Sequence, residues 1–600
     1  MKLFISFVLS FIAVRGFRFE LTGEGYAGTN TNTVSFVWLL LFLFFFAVIL
    51  NSLRETDRKL IGISCLFAFI TAAFYIAGIS FEKKESLSWI WGSRATLMIT
   101  LNLLFSHAAV YYCFAFLAFR LLRGASAGGI SAGKRSFSLR NFLLILGLLL
   151  VIYIPWYLFY FPGILTDDSN SMIFDALGSK DLSNHHSAFL VLVIKSILVP
   201  VRHLTGSLQA GIAVFIFLQM SVMVIIFSLT LERIFSYTRN SILRALAFLW
   251  YAAYPANTNY CMILWKDILF SGCFLAFLLC ADRAAEDEDL FFGKASDRFR
   301  LFITALLLPL LRHNGLLITV LSGFCFFLGF KKYRGYVLRI FGCALAVYGI
   351  WTYAVLPAMN VKEVEPALML SVPQQQIART LAGHHSELGK EELAALEAYF
   401  DIPEIWNEYH ALLSDHVKMH FRNEVFKKDP GTFFRLWLKL GLRYPMDYIE
   451  AFLHNNYGYW FPETGSWVAY HGMMVTERIE DTHPAPVLKS GIMDRIWHWY
   501  SYREYMKMPL LPLLFSPGAF FWLWLFCGCY CLYNNRRKFI VFIPGLSLLL
   551  GVLISPVYNE FRYVYGLIIG LPLLMASAFR VKRNDTEDRA PENIPAAYMN

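Results

Sequence analysis

Charged residues are scarce in this sequence. Asp, Glu, Lys and Arg make up 16% of its 600 residues, whereas 57% are hydrophobic and the mean hydropathy is +0.51. A chain of this composition cannot cover its surface with polar groups, as a soluble domain must. We therefore expect an all-α polytopic membrane protein.

Cysteine pairs in hydrophilic loops are also missing. Nine of the ten cysteines lie inside apolar runs, and Cys261 stands near the end of one. The loops therefore carry no disulfide framework. Cys527, Cys529 and Cys531 alternate with other residues of one apolar run, where packing in lipid explains them better than a metal site. No internal repeat is apparent.

The net charge of +10 would suit a polyanionic partner. The basic residues, however, occur in short clusters between apolar runs, where the positive-inside rule accounts for them. We therefore exclude nucleic acid as a partner. The strongest of these clusters runs from Arg120 to Arg140 and indicates the cytoplasmic side.

The alternation of apolar runs and basic clusters predicts about fourteen transmembrane helices with both termini in the cytoplasm. One apolar run, Ala188 to Val201, would break this alternation if it crossed the membrane. It carries Lys195 and lies between His186 and Pro200. We interpret it as an in-plane helix at the outer membrane surface, which keeps each later basic cluster in the cytoplasm.

Polar residues then collect on the extracytoplasmic face. The first large external loop, 161–187, holds the densest early cluster of acids and histidines. A charge at this level of the bilayer costs roughly 2 kcal/mol or more unless it faces a cavity or a partner. Five loops are therefore predicted to meet in one external pocket, and they are 166–169, 184–186, 265–267, 312–314 and 559–562.

This arrangement resembles the GT-C membrane glycosyltransferases, which include protein O-mannosyltransferases and aminoarabinose lipid A transferases. They share an aspartate in the first large external loop, a following in-plane helix and an arginine loop near the last spans. The chain is more closely similar to a bacterial family of uncharacterised polytopic membrane proteins placed near that superfamily, through the motifs FPGILTDDS, NHHSAF, LWKD, RHNG, SVPQQQIAR and NEFRY. The resemblance covers most of 142–572.

The resemblance implies a role for each motif. In the family the position of Asp167 is often proline, so the aspartate carried over is Asp168, as the general base that takes the acceptor proton. One carboxylate suffices for a single inverting displacement. The other expected catalytic residues are Asp167 and His186. The expected donor-phosphate ligands are Arg312, Lys266, Arg562, His313 and His185, and the expected substrate-binding residues are Asp267, Gln375, Arg379, Asn559, Glu560 and Trp460.

Plainer interpretations of these residues stay open. Thr166 to Ser169 also suits a helix N-cap, with Asp168 or Ser169 capping a surface helix that ends at Leu177. Trp265, Lys266 and Arg562 could be interfacial anchors. Adjacent histidines do not favour zinc. A divalent cation held by Asp167 and Asp168 with the donor phosphate stays unassigned.

The resulting organisation has five units. They are N-terminal transmembrane helices in 1–141, a GT-C-like catalytic core in 142–356, a small, mostly helical extracytoplasmic domain in 357–508, C-terminal transmembrane helices in 509–580 and a cytoplasmic tail in 581–600. In the external domain Gln375 and Arg379 lie one helical turn apart, so both could face the pocket. The aromatics of 456–461 suit sugar stacking or an interfacial position.

These expectations combine into an integral cell-membrane glycosyltransferase. It would transfer a sugar from a polyprenyl-phosphate-linked donor to a glycan, lipid or protein acceptor of the cell envelope. The alternatives are a flippase or transporter, or a polymerase or ligase, of polyprenyl-linked glycans. A transporter would place ionisable residues near mid-bilayer in repeated halves. The charges here lie at one face instead, which favours the enzyme.

Overall fold

A computed structural model describes residues 1–22, 32–127, 137–178, 182–465, 468, 487–554 and 556–580. These residues form helices and connecting turns without a strand ladder; the isolated bridges are Ile164 with Ile263, Ser183 with Lys362 and Phe400 with Phe421. The prediction of an all-α polytopic membrane protein is confirmed. The predicted tail, 581–600, lies outside the described residues.

The described residues form twenty-eight α-helices in chain order. The first five are α1 Lys2–Thr22, α2 Asn32–Arg54, α3 Arg58–Lys84, α4 Ser88–Trp91 and α5 Arg94–Ala127. The next twelve are α6 Leu139–Phe159, α7 Asp167–Leu177, α8 Ala188–Thr205, α9 Leu208–Tyr237, α10 Ser241–Ala253, α11 Pro255–Tyr260, α12 Lys266–Glu286, α13 Glu288–Gly293, α14 Ala295–Leu311, α15 Gly315–Gly329, α16 Arg334–Ile350 and α17 Leu356–Ala358.

Eleven further helices complete the described chain. Eight belong to the segment 357–508, which we call the inserted domain. They are α18 Pro366–Met369, α19 Ser371–His384, α20 Lys390–Glu397, α21 Asp415–Met419, α22 Asn423–Lys428, α23 Pro430–Arg443, α24 Pro445–Asn456 and α25 Gly491–Ser501. The last three are α26 Pro517–Asn534, α27 Ile543–Ile554 and α28 Phe561–Phe579.

Ten helical segments of the described chain are long and apolar enough to cross a membrane. They are Phe36–Arg54, Arg58–Lys84, Arg94–Gly124, Leu139–Phe159, Ala188–Thr205, Leu208–Tyr237, Lys266–Glu286, Lys331–Ala358, Arg536–Ile554 and Phe561–Phe579. A run of about 20 apolar residues matches the thickness of the hydrocarbon layer. The protein is therefore a multi-pass membrane protein, and the number fourteen stays a prediction.

Helix α12 lies at the centre of the membrane part and packs against α9, α14 and α28. Small residues permit the close approach of α28. A Cβ atom on Gly570 would lie 2.6 Å from Leu278 Cδ1, and one on Gly566 would lie 3.0 Å from Phe274 Cδ1. Glycine at such positions lets helix backbones pack closely in lipid, where no hydrophobic effect drives helices together.

The inserted domain has a hydrophobic core of its own. Fifteen buried residues between Ala367 and Tyr448 form a hydrophobic cluster separate from the membrane core. The end of α24 leads into a second cluster, in which Tyr457, Trp460 and Phe461 pack against Phe81 at the end of α3. The domain therefore has its own core and is fixed to the end of a spanning helix.

A buried polar cluster ties together the ends of α9, α12 and α28. We call it the Tyr237 cluster, and it consists of Arg233, Tyr237, Asp282, Glu286, Lys538 and Arg580. Three cationic groups surround the tyrosine ring, with Arg233 at 4.6 Å, Arg580 at 4.8 Å and Lys538 at 4.9 Å from its centroid. Asp282 accepts from Arg233 Nε at 2.7 Å and from the Tyr237 hydroxyl at 2.5 Å.

We expect Asp282→Ala to destabilise the folded protein by about 3–5 kcal/mol, because Arg233 is left buried without its partner. The matched control is Asp289→Ala, which removes an exposed ion pair with Lys332 and leaves stability nearly unchanged. Thermal unfolding in nanodiscs measures both. Equal losses in the two variants would contradict a structural role for the Tyr237 cluster.

Candidate functional site

Two separate chain segments lie side by side at the other end of α12. The Ile164 amide donates to Met262 O at 2.7 Å, and the Leu264 amide donates to Ile164 O at 3.1 Å. The buried amide of Gln219 supports this pairing, since its Nε2 donates to Cys261 O at 3.1 Å and to Ile263 O at 2.7 Å. The pairing brings the start of α7 next to the start of α12.

The start of α7 is fixed by hydrogen bonds to the same segment. Thr166 precedes the helix, and its amide donates to Ser169 Oγ at 3.0 Å. Ser169 Oγ donates to Leu264 O at 2.8 Å, and Trp265 Nε1 donates to Thr166 Oγ1 at 2.6 Å. The helix ends at Leu177 as predicted. The N-cap position, however, belongs to Thr166 and not to Asp168 or Ser169, because the helix begins at Asp167.

Helix α7 has one buried face and one partly exposed face. Its residues Ser169, Met172, Ile173 and Ala176 are buried against the membrane core. The sequence of the motif does not reveal this burial, because polar residues separate the apolar residues that form the buried face.

Asp168 and Arg562 form an ion pair that joins α7 to α28. Arg562 Nη1 donates to Asp168 Oδ2 at 2.5 Å. The guanidinium also lies 3.4 Å from Glu560 Oε2 and covers the ring of Trp265 at 4.7 Å. The Asp168 side chain keeps 34% of its surface exposed, so a substrate can reach it. Asp167 beside it is exposed.

A second ion pair lies next to the first. Arg312 Nη1 is 2.8 Å from Asp267 Oδ1, and both side chains are buried. The ring of Tyr563 lies 4.2 Å from the Arg312 guanidinium and 5.2 Å from that of Arg562. Tyr563 was not among the predicted site residues, although it directly follows Arg562. Its ring contacts both guanidinium groups, and such cation–π contacts help to hold two like charges near each other.

Lys266 contacts an imidazole. Its Nζ lies 3.3 Å from Nδ1 of the buried His186. Burial lowers the pKa of His186 to about 3, with Lys266 as the next cause. The imidazole is therefore neutral near pH 7, and the ammonium donates to Nδ1. No carboxylate pairs with Lys266 in the part of the chain that the structure describes, so this cation is available to an anionic ligand.

The other two histidines of the predicted site, His185 and His313, lie near His186 and the residue Asn184. The exposed His185 ring is 4.4 Å from that of His186. His313 Nε2 lies 2.8 Å from the Asn184 carbonyl oxygen, to which it donates. Burial is the main cause that lowers the pKa of both His185 and His313. Both rings are therefore hydrogen-bonding groups rather than cations at neutral pH.

The charge of Asp168 depends on the cations around it. Burial alone would raise the pKa of this carboxyl group, but Arg562 and then Lys266 oppose burial and hold the pKa at about 2. The site contains three cations, Lys266, Arg312 and Arg562, and three carboxylates, Asp168, Asp267 and Glu560. Apart from the exposed Asp167, the site therefore holds equal numbers of basic and acidic side chains.

Three predicted residues do not lie with Asp168. Gln375 is helical, but its Nε2 donates to the His410 carbonyl oxygen at 2.9 Å. Arg379, one turn further along α19, pairs with Glu450 inside the same domain. Trp460 packs against Phe74 and Phe81 at the end of α3. Helical spacing puts Gln375 and Arg379 on one face, as expected, but that face is turned into the inserted domain.

Asn559 holds the loop before α28. Its backbone has φ 49°, a left-handed conformation that asparagine tolerates. Its Nδ2 donates to Thr464 Oγ1 at 3.1 Å and to Gly465 O at 2.7 Å. Beyond Thr464 lies a cavity of about 380 Å³, which is lined by Pro462, Glu463, Thr464, Gly465, Tyr505, Met506, Leu510, Pro512, Leu513 and Phe515.

The site does not fit a resident divalent cation. Divalent cations in proteins take oxygen ligands, among which carboxylates are common, and here Asp168 is already paired with Arg562 and Asp267 with Arg312. Among the described residues, no group of three or more His, Cys, Asp or Glu side chains could hold a metal ion.

A family model matches most of the chain. The model of a family described as "Family of unknown function (DUF6020)" matches residues 178–592. No curated protein and no solved structure matches the chain.

We expect Asp168→Asn to lower thermal stability at neutral pH, because Arg562 loses its principal partner. Since pairing lowers the pKa of Asp168 from 3.8 to about 2, the stabilisation is complete above the higher value and fades as the pH falls towards the lower one. Unfolding in nanodiscs should therefore show a constant deficit at neutral pH that shrinks in acid. Asp167→Asn is the exposed control. A deficit that persists unchanged in acid would contradict the ion pair.

Proposed function

The chain belongs to the family of unknown function DUF6020, and we propose that it is a GT-C-type glycosyltransferase that uses a polyprenyl-phosphate-linked sugar. The acceptor is a glycan, lipid or protein of the cell envelope, on the extracytoplasmic face of the cell membrane. One observation carries the proposal: a partly exposed carboxylate, Asp168, lies among three cations at one end of the membrane helices.

A carboxylate among three cations suits the transfer of a sugar from a lipid phosphate. Asp168 takes the proton of the acceptor hydroxyl while the acceptor oxygen forms a bond to the anomeric carbon. The bond from that carbon to the phosphate oxygen breaks, and the prenyl phosphate leaves with one more negative charge. Lys266 and Arg562 stabilise that charge, as fixed cations do for a developing anion. The proton gained by Asp168 offsets the charge gained by the phosphate.

Binding of the donor also controls the strength of the base. Paired with Arg562, Asp168 has a pKa of about 2 and is a weak base. A donor phosphate competes with Asp168 for the same guanidinium, since arginine binds carboxylate and phosphate with similar geometry. When the phosphate takes over that contact, the pKa of Asp168 rises. The base therefore becomes effective only when donor is present, which limits proton transfer in the empty site.

We further infer fourteen crossings, with α8 on the extracytoplasmic side. His186, just before α8, contacts Lys266 at the site, and the end of α8 joins the start of α9. Helix α9 passes the site at Gln219 and ends at Tyr237, about 27 Å further along its axis. Helix α9 begins at Leu208, about 17 Å from Gln219 on the side away from Tyr237. Neither end of α8 therefore lies at the Tyr237 end of α9, which supports an in-plane helix although its length would allow a crossing.

The cavity beyond Thr464 supports binding of the lipid carrier. Its lining is mostly apolar, with Met506, Leu510 and Leu513 exposed. The Asn559 loop connects it to the ion pairs, since Asn559 bonds to Thr464 and Glu560 contacts Arg562. A prenyl chain in this cavity would place its phosphate towards Arg562.

We expect Asp168→Asn to reduce release of prenyl phosphate by about 10²–10⁴-fold, because an amide cannot accept the acceptor proton. The measurement uses protein in nanodiscs with radiolabelled polyprenyl-phosphate hexoses. Asp167→Asn is the neighbouring control and should keep most of the activity, since its carboxylate is exposed and makes no contact with Arg562 among the described ion pairs.

Other results would change the assignment. Loss of activity only in Asp167→Asn would move the base to that residue, and full activity of both variants would remove the base role. Labelled lipid that crosses the bilayer without donor consumption would indicate a flippase. Products that carry whole transferred chains would indicate a polymerase or ligase.

We expect Arg562→Ala to lower kcat/KM by about a hundredfold. We also expect the acid limb of the pH profile of kcat/KM to shift to higher pH. The sign follows because Arg562 holds the pKa of Asp168 low, so its removal raises that pKa and the base protonates earlier as the pH falls. Arg562→Lys retains the charge and should shift the limb less. A pH profile identical to that of the unmodified protein would contradict competition for Arg562.

A further inference from the structure

Helix α23 of the inserted domain carries an apolar surface that the domain does not cover. Phe433 and Leu440 are buried in the core of the domain. Phe434, Leu438 and Leu442 follow each other at four-residue spacing on another face, and Leu438 is 55% and Leu442 76% exposed. Such a stripe on a helix with a covered inner face requires a second apolar environment.

Basic residues flank this stripe. Arg435, Lys439 and Arg443 repeat at the same spacing one position later, and α23 contains no acidic residue. Lys439 and Arg443 both reach one carboxylate, that of Glu392, at 3.0 and 3.9 Å. Arg435 makes no ion pair among the described residues, although its charge reaches the Asp429 carboxylate just before the helix. Arg435 is therefore the basic residue of this edge that is most available to a phosphate.

Exposed apolar residues continue along the chain from α23 towards a residue packed on a spanning helix. Met446 and Ile449 are exposed on α24, and Leu453, one turn further, packs against the cluster at the end of α3. The other end of the domain is tied near the site, where the Lys362 amide donates to Leu182 O at 2.9 Å. Both attachments hold the domain close to the ends of membrane helices.

We propose that α23 lies in the surface of the surrounding bilayer and binds anionic phospholipid. Phe434, Leu438 and Leu442 enter the boundary between head groups and acyl chains, and Arg435, Lys439 and Arg443 contact the phosphates. Apolar burial and attraction to anionic head groups act together in interfacial helices of this kind. This membrane contact does not depend on the reaction that the protein catalyses.

The test uses the full chain in nanodiscs with the photoreactive residue p-benzoylphenylalanine in place of Leu438. The control position is Asp401, an exposed polar residue of the same domain. After irradiation, mass spectrometry should show severalfold more phospholipid adduct at 438 than at 401, and more with phosphatidylglycerol than with phosphatidylcholine. Arg435→Gln should reduce the preference for phosphatidylglycerol. Placement of the probe at Leu442 repeats the test at an independent position.

Two results would overturn the proposal. Equal lipid labelling at positions 438 and 401 would show that the stripe does not reach the bilayer. A cross-linked dimer in place of a lipid adduct would assign the stripe to contact with a second copy of the chain.

Discussion

The ion pair between Asp168 and Arg562 is the contact on which the rest of the site depends. It joins the first helix of the external loop to the last helix of the described chain, across 394 residues of sequence. Glu560, Trp265 and Tyr563 complete the surroundings of the guanidinium. The same contact keeps the carboxylate ionised and sets its proton affinity.

The membrane explains why so much was predictable from the sequence. Apolar runs of fixed length leave charged residues mainly at the two ends of each helix. The polar loops could therefore be assigned to one or the other membrane surface. The structure brings Asp168, Lys266, Asp267, Arg312 and Arg562 to one end of the membrane helices. The sequence also predicted the end of α7 at Leu177. Both features follow from local composition.

Partners in space were not predictable in the same way. Gln219 is a polar residue within a mostly apolar helix, and its hydrogen bonds go to backbone carbonyls more than 40 residues away, which leave no pattern in the side chains. Arg379 and Gln375 share a helix face as their spacing indicated, but spacing does not tell which neighbour that face meets. Their partners, His410 and Glu450, belong to the inserted domain itself.

The Tyr237 cluster has a consequence for how a substrate reaches the protein. Three cations packed around one ring, with two acids, close the bundle at the end opposite the site. In the proposed reaction, a lipid carrier would approach Asp168 sideways, from the leaflet on the same side. A carrier loaded with sugar on the opposite face would first have to cross the bilayer, so the proposed reaction would depend on a translocation step.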